Sequence, residues 1–134
     1  MGGRTDVIAA GSGAGRRLLI VDDHVASVTS LSLVLSLLGY DVRCAFDGME
    51  ALRCAADFKP EIAILDLSLP LLDGYAVAER MRAMEETRDS LLVAMTGWGS
   101  ATVSERVRAS GFDLHLVKPV SVDRLTDAIQ LAGC

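Results

Sequence analysis

The stretch EIAILDLSLPLLDG, residues 61–74, decides the fold. It opens with the apolar run Glu61–Leu65, which is short and nearly continuous, as expected for a parallel strand buried on both faces. The run is followed by Asp66. A helical pattern then begins and runs over Gly74–Glu85, with Asp73 in the position of a helix N-cap. The stretch therefore predicts a strand with a carboxylate at its end, then a loop, then a helix.

The same strand–helix order repeats along the chain from Arg17 onward. The predicted strands are Leu18–Val21, Asp41–Ala45, Glu61–Leu65, Leu91–Met95 and Asp113–Val117. The predicted helices are Val25–Leu38, Gly48–Phe58, Gly74–Glu85, Ser100–Ser110 and Val122–Leu131. Five such units in a row predict an α/β, doubly wound fold with a single five-stranded parallel sheet and five helices.

The first 16 residues differ in composition from the rest of the chain. The run Ala10–Gly15 consists of Ala, Gly and Ser only, and we interpret residues 1–16 as a flexible N-terminal tail or linker before a domain over residues 17–132. A glycine-rich phosphate loop is the alternative interpretation. Such a loop needs a strand before it and a helix after it, whereas a strand pattern, Leu18–Val21, follows here.

Charge and cysteine content narrow the classes of function. The chain has 18 acidic and 13 basic residues, a net charge of −5, so we expect no direct binding to nucleic acid. Cys44, Cys54 and Cys134 are far apart and form no metal-binding pattern, which fits a reducing cytoplasm. No apolar run is long enough to span a bilayer, and there is no secretory signal. We therefore expect a cytoplasmic domain.

Polar side chains capable of chemistry follow four of the predicted strands. They are Asp22 and Asp23 after the first, Asp66 after the third, Thr96 after the fourth and Lys118 after the fifth. Ligands of doubly wound folds bind at the carboxyl ends of the strands, so these side chains should converge. Considered singly, each of these residues could instead have a structural role as a helix cap, turn residue or surface residue. Four strand ends with matching chemistry favour a functional site.

The chemistry of that set points to phosphoryl transfer. Clustered carboxylates repel one another unless cations offset them, and Mg²⁺ prefers such oxygen ligands. A carboxylate is also a nucleophile toward phosphorus, and phosphoryl transfer needs positioning and nearby cations more than covalent help. Asp66 is then the candidate nucleophile, and Asp22 and Asp23 are the candidate metal ligands. Lys118 and Thr96 are the candidate contacts to the phosphoryl oxygens.

Over residues 17–132 the sequence resembles the receiver domain of two-component response regulators. The resemblance rests on Asp22-Asp23, on Asp66 through Pro70 with Asp73-Gly74, on Thr96-Gly97 and on Lys118-Pro119. It implies a flavodoxin-like sheet of strand order 2-1-3-4-5 and a phosphorylated signalling protein. It implies catalysis only of the domain's own phosphorylation and slow dephosphorylation, without an enzymatic activity on other substrates.

The resemblance also implies a role for each matching residue. Asp66 is the expected phosphoacceptor, with Asp22, Asp23 and the backbone carbonyl of Ser68 joining it as ligands of Mg²⁺. Thr96 is the expected switch hydroxyl and Lys118 the lysine that contacts the phosphoryl group. The Lys118–Pro119 bond is expected to be cis.

The chain departs from the usual receiver pattern at the switch aromatic. Receivers usually carry Tyr or Phe three residues before the lysine that matches Lys118. This chain has His115 at that position. Since histidine can rotate and titrate, His115 is the expected switch residue together with Thr96, or else a half-buried strand residue. Trp98, two residues past Thr96, is a candidate shield of the acyl phosphate, or a surface aromatic that meets a partner.

The expected phosphodonor is a histidine kinase or a histidine phosphotransfer protein. Phosphorylation should remodel the face made by the fourth helix, fifth strand and fifth helix, which is also a candidate homodimer surface. Helical periodicity sets Arg106 and Arg108 on or near that face. The domain is expected to be free-standing or part of a larger hybrid kinase or regulator.

Two other interpretations stay open from sequence. One is a degenerate receiver that binds partners without phosphorylation, which His115 favours weakly and the intact site residues oppose. The other is an aspartate-nucleophile phosphohydrolase, which needs a second aspartate two residues after the nucleophile. Ser68 and His24 hold that place after Asp66 and Asp22.

Overall fold

A computed structural model describes residues 14–97 and 101–133 and contains one parallel sheet of five strands. The strands are β1 Arg17–Val21, β2 Asp41–Ala45, β3 Ile62–Asp66, β4 Leu91–Thr96 and β5 Leu114–Val117. The helices are α1 Val25–Leu37, α2 Gly48–Phe58, α3 Gly74–Ala83, α4 Ala101–Ala109 and α5 Val122–Gly133. The spatial order β2-β1-β3-β4-β5 confirms both the predicted doubly wound sheet and the strand order implied by the resemblance.

Strand β3 lies at the centre of the sheet, between β1 and β4. Its residue Ile64 is in register with Ile20 of β1 and Val93 of β4. All five residues of β3 are buried. The nearly continuous apolar run in the sequence follows from this position, because helices cover both faces of a parallel sheet.

The helices form two layers, one on each face of the sheet. Helices α1 and α5 share one core cluster, to which they contribute Val28, Leu35, Leu125 and Ile129. Helices α2, α3 and α4 share the other, to which they contribute Ala51, Ala55, Val77, Ala78, Met81 and Val107. Because aliphatic side chains fill both clusters, the sheet edge is held rigidly enough to position the groups at its strand ends.

Side-chain caps set the starts of three helices where the sequence predicted them. The Glu50 amide donates to Asp47 Oδ1 at 2.8 Å, while Glu50 Oε1 accepts from the Phe46 amide at 2.7 Å, a variant of the capping box. Asp73 Oδ1 accepts from the Ala76 amide at 2.9 Å at the start of α3. Ser121 Oγ accepts from the Arg124 amide at 3.1 Å at the start of α5.

The structure moves several predicted boundaries by one or two residues. Helix α3 ends at Ala83 and not at Glu85, because Met84 is already extended. Asp66 and Thr96 are the last residues of their strands and not the first residues of loops. Of the predicted features, Trp98, the helix start at Ser100 and residues 1–13 of the tail lie outside the described residues.

Within residues 14–97 and 101–133, no helix combines the length and the apolar character that a membrane span requires.

Candidate functional site

The predicted site residues meet at the carboxyl edge of the sheet. Asp22 directly follows β1, Asp66 ends the neighbouring β3, and Lys118 directly follows β5. Asp22 and Asp66 are buried, whereas Asp23 is exposed. The doubly wound fold thus brings together residues up to 96 positions apart in the sequence, as the rule for ligand sites in such folds predicts.

Three carboxylates form the acidic half of the site. One oxygen each of Asp22, Asp23 and Asp66 lies within 4.8 Å of the other two. Oxygen atoms at this spacing, two of them on buried side chains, are a donor set of the kind that Mg²⁺ prefers.

Lys118 provides the basic half of the site. Its Nζ lies 3.2 Å from Asp22 Oδ2 and 3.3 Å from Asp66 Oδ2, so one ammonium bridges the two buried carboxylates. Three carboxylates and one ammonium leave two formal negative charges, which one divalent cation would balance. The residues present therefore fit a Mg²⁺ ion in both donor type and charge.

The two buried carboxylates are held in matching ways by the backbone. The amide of His24 donates to Asp22 Oδ1 at 3.0 Å, and the amide of Ser68 donates to Asp66 Oδ1 at 3.1 Å. In each case the amide two residues further on fixes one oxygen, and Lys118 contacts the other. These bonds orient the carboxylates before any ligand binds.

The charges of the site shift two pKa values. Burial raises the pKa of Asp66 above its usual 3.8, and the Asp22 carboxylate adds to the rise. The Ser68 amide and Lys118 lower that pKa but do not cancel the effect of burial. Burial lowers the pKa of Lys118, but Asp66 and Asp22 together outweigh it and raise that pKa above 10.5. Lys118 is therefore a fixed positive charge at neutral pH.

Gly74 allows α3 to pack directly on the chain of Asp66. Its amide donates to the Leu67 carbonyl at 3.2 Å. A Cβ atom at position 74 would lie 2.5 Å from the carbonyl oxygen of Asp66 and 2.8 Å from Leu67 Cα. Because these obstacles are backbone atoms, only glycine fits, and this accounts for the Asp73-Gly74 pair of the sequence motif.

Thr96 and His115 lie on the same face of the sheet, on the neighbouring strands β4 and β5. Thr96 is buried at the end of β4, and its carbonyl accepts from the Lys118 amide at 2.7 Å. It pairs in register with Val117, and His115 pairs with Ala94, so Thr96 and His115 project from the same face of the sheet. His115 Nδ1 is 3.5 Å from Ser104 Oγ of α4, while its buried Nε2 has no hydrogen-bond partner among the described residues.

The structure agrees with some sequence expectations and differs from others. The Lys118–Pro119 peptide bond is cis, as the resemblance implied. The Arg106 guanidinium lies over the ring of Tyr75 in α3, 3.9 Å from its centroid, a contact that helical periodicity did not predict. Nothing in the sequence marks Tyr75, because a stack between two helices produces no pattern in the sequence of either helix.

Comparison with known proteins agrees with this geometry. The sequence profile of the family described as the response regulator receiver domain matches residues 18–130. The DNA-binding dual master transcriptional regulator RpaA of Synechocystis is 35% identical over 111 residues, which are 81% of this chain and 45% of RpaA. The chain thus spans about half the length of such curated regulators.

Two solved structures show the same architecture. The chemotaxis protein CheY4 of Vibrio cholerae superposes with a TM-score of 0.83 at 27% identity, covering 87% of this chain and 97% of CheY4. The receiver domain of a sensor histidine kinase of Pseudomonas aeruginosa has a TM-score of 0.80 at 30% identity, covering 87% and 96%. That crystal structure has a magnesium ion coordinated in its active-site cleft.

A doubly wound sheet of strand order 2-1-3-4-5, with three carboxylates and one ammonium gathered at its carboxyl edge, has the architecture of a receiver domain. The chain belongs to the response regulator receiver domain family and is a receiver domain of two-component signalling.

Proposed function

We propose that Asp66 is the phosphoacceptor of this receiver and that Asp22, Asp23 and Lys118 make its phosphorylation possible. The observation that carries the proposal is the position of Asp66, which is buried beside two other carboxylates with Lys118 Nζ 3.3 Å from its Oδ2. Burying the Asp66 carboxylate beside two others has no evident structural purpose, because its repulsion from Asp22 opposes folding.

The carboxylates of Asp22, Asp23 and Asp66 are the proposed ligands of Mg²⁺, with the backbone carbonyl of Ser68 as a further ligand. When bound, Mg²⁺ would supply positive charge to the phosphoryl oxygens and offset the repulsion among the carboxylates. Two observations support this proposal: one oxygen of each carboxylate lies within 4.8 Å of the other two, and the site has two formal negative charges that Lys118 does not balance.

Asp66 is the proposed nucleophile toward a phosphohistidine. One of its oxygens attacks phosphorus, the P–N bond breaks, and the electron pair returns to the imidazole ring. Lys118 is already in contact with Asp66. Its ammonium is therefore in place to stabilise the negative charge of the phosphoryl oxygens with little rearrangement. The Ser68 amide, bonded to the other oxygen, keeps the carboxylate oriented for in-line attack.

Thr96 and His115 are the proposed switch. The hydroxyl of Thr96, at the end of the strand beside Asp66, would move toward the new phosphoryl oxygens. His115 projects from the same face of the sheet and is in contact with Ser104, so a change at Thr96 can reach α4 through it. The buried Nε2 of His115, which has no hydrogen-bond partner within residues 14–97 and 101–133, supports this role, because an unsatisfied buried nitrogen gains from a rearrangement that provides it with a partner.

Intact-mass measurement after incubation with acetyl phosphate and Mg²⁺ tests the proposal. We expect the mass of the chain to increase by one phosphoryl group, and a peptide map to locate that group on Asp66. Excess chelator should abolish the increase, because three carboxylates and one ammonium then repel the incoming phosphate. An unmodified wild-type chain, or a phosphoryl group on a different residue, would contradict the proposal.

Replacing Thr96 with alanine tests the switch separately from phosphoryl uptake. The variant should still bind beryllofluoride, a phosphoryl mimic, but about tenfold or more weakly, since a hydrogen bond to a charged group is lost. Thr96→Ser retains the hydroxyl and should bind within about twofold of wild type. Titration by fluorescence of Trp98, the only tryptophan in the chain, measures both affinities. Equal affinities for Thr96→Ala and wild type would remove Thr96 from the switch.

The proposed phosphodonor is a histidine kinase or a histidine phosphotransfer protein, which follows from membership of the family. The proposed cytoplasmic location follows from the same membership. The absence of direct nucleic-acid binding and the homodimer surface stay predictions from the sequence. RpaA binds DNA according to its name, but this chain matches only 45% of its length.

A further inference from the structure

The start of α3 is fixed to the loop that carries Asp66. The Gly74 amide bonds to the Leu67 carbonyl at 3.2 Å, and the Gly74 backbone packs against the Asp66 carbonyl. Asp73 caps the same helix turn through the Ala76 amide. The backbone of the first turn of α3 is therefore tied to the backbone of Asp66 and Leu67.

Tyr75, the next residue after Gly74, carries a contact to α4. The guanidinium carbon of Arg106 lies 3.9 Å from the centroid of the Tyr75 ring, well within the range of a cation–π interaction. Tyr75 is half-buried at the edge of the core, while Arg106 is exposed. The neighbouring Val107 already anchors α4 in the core, so the stack is an additional link between α3 and α4.

Helix α4 therefore has two contacts that lead to the site. Ser104 contacts His115, which projects from the same face of the sheet as Thr96. Arg106 contacts Tyr75, which follows Gly74 at the start of α3. A movement of Thr96 would bear on the first contact, because His115 projects from the same face of the sheet as Thr96 and contacts Ser104 of α4. The second contact joins α4 to α3, and the start of α3 is tied by Gly74 to the backbone of Asp66, so a displacement of α4 would move Arg106 away from Tyr75.

We infer that the Tyr75–Arg106 stack is a latch that holds α4 in the position it has in the unphosphorylated chain. A contact made in one of two conformations stabilises that conformation by its own interaction free energy. Displacing α4 relative to α3 would break the stack, so the latch opposes the switch. The free energy of the stack therefore adds to what binding of a phosphoryl group must supply to displace α4. The inference rests on the proposed function, because the phosphoryl group on Asp66 is what drives the change.

Four variants of the full chain test the latch. Arg106→Gln and Tyr75→Leu each remove the stack, whereas Tyr75→Phe keeps an aromatic face. Arg108→Gln removes the same charge from an exposed position of the same helix and leaves the stack in place. Their apparent Kd values for beryllofluoride in saturating Mg²⁺ are compared with that of wild type by fluorescence titration.

The two variants without the stack should bind beryllofluoride about two- to fivefold more tightly than wild type, the size expected for an exposed cation–π contact. Tyr75→Phe and Arg108→Gln should match wild type. Combining Tyr75→Leu with Arg106→Gln should give no more than either change alone, because both break one interaction. Hydrogen exchange of residues 101–109 should accelerate in the stack-breaking variants without ligand.

A purely structural role for the stack predicts a different result. General destabilisation would leave the affinity for beryllofluoride unchanged or weaken it, and either outcome in Arg106→Gln would overturn the latch. Equal tightening in Arg108→Gln would also overturn it, because the effect would then come from net charge. A wild-type chain that fails to bind beryllofluoride would refute the proposed function and the latch together, whereas binding with no gain in Arg106→Gln refutes the latch alone.

Discussion

Replacing Asp66 with asparagine is expected to abolish phosphorylation of this chain and, at the same time, to stabilise its metal-free form at neutral pH. Asparagine has nearly the same shape and retains an oxygen for the Ser68 amide, but it is a poor nucleophile. It also removes one of two buried carboxylates that repel each other, and Lys118 keeps Asp22 as its partner. We expect a gain of roughly 1–3 kcal/mol in the free energy of unfolding, the range for an incompletely satisfied buried polar group.

The gain in stability should depend on pH in a defined direction. Burial raises the pKa of Asp66 in the folded chain above its usual 3.8, so the folded state binds a proton more readily than the unfolded state. The contribution of Asp66 to stability is therefore fully present below pH 3.8 and is lost as the pH rises through the raised pKa. Because asparagine does not titrate, the advantage of Asp66→Asn should be largest at neutral pH and shrink on acidification.

Urea denaturation of both chains in the presence of a chelator, at a series of pH values, measures this difference. Asp89→Asn is the matched control, because it makes the same chemical change at an exposed position and should alter stability by less than about 0.5 kcal/mol. A less stable Asp66→Asn at neutral pH would show that Lys118 and the Ser68 amide fully compensate the buried charge. Phosphorylation of Asp66→Asn to the wild-type extent would remove Asp66 as the phosphoacceptor.

Replacing Gly74 with alanine is expected to destabilise the fold and to displace the chain around Asp66. The new Cβ would lie 2.5 Å from the Asp66 carbonyl oxygen and 2.8 Å from Leu67 Cα, so either α3 or the phosphoacceptor loop must shift. We expect a loss of about 1–3 kcal/mol, the range for overpacking, which exceeds the gain of up to about 1 kcal/mol from replacing glycine in a helix. Because Asp66 itself is displaced, phosphorylation by acetyl phosphate should also slow.

Gly97→Ala is the matched control for Gly74→Ala. A Cβ atom at Gly97 would meet nothing within 4 Å, so this variant should lose less than about 0.5 kcal/mol in thermal or urea denaturation. If Gly74→Ala were as stable as Gly97→Ala, the close packing of α3 on the Asp66 chain would be wrong. The fixed position of Tyr75 that the latch requires would then be wrong as well.

Much of the fold could be read from short-range patterns in the sequence. The apolar run before Asp66 predicts a central strand because a strand covered on both faces has no polar side to show, and β3 is buried at all five positions. Asp47, Asp73 and Ser121 mark helix starts because capping involves residues only three apart. The apolar runs locate the strand ends to within about one residue, and with them the edge at which Asp22, Asp66 and Lys118 meet.

The contacts between helices could not be read in the same way. Helical periodicity predicted that Arg106 lies on or near the face made by α4, β5 and α5, but it gave no sign that the guanidinium stacks on Tyr75 of α3. Nor does the sequence show that His115 Nε2 is buried without a partner among the described residues. Both depend on how far each helix is rotated and tilted on the sheet.

The sequence by itself determined the order of strands and helices, the central strand, and the set of acidic and basic residues at one edge of the sheet. Only the tertiary structure decided the bridging position of Lys118 between Asp22 and Asp66, the backbone fit at Gly74 and the stack of Arg106 on Tyr75. The physical reason is the range of the forces. Periodicity and capping act between neighbours in the chain, whereas these contacts depend on the packing of side chains from distant segments to within a few tenths of an ångström.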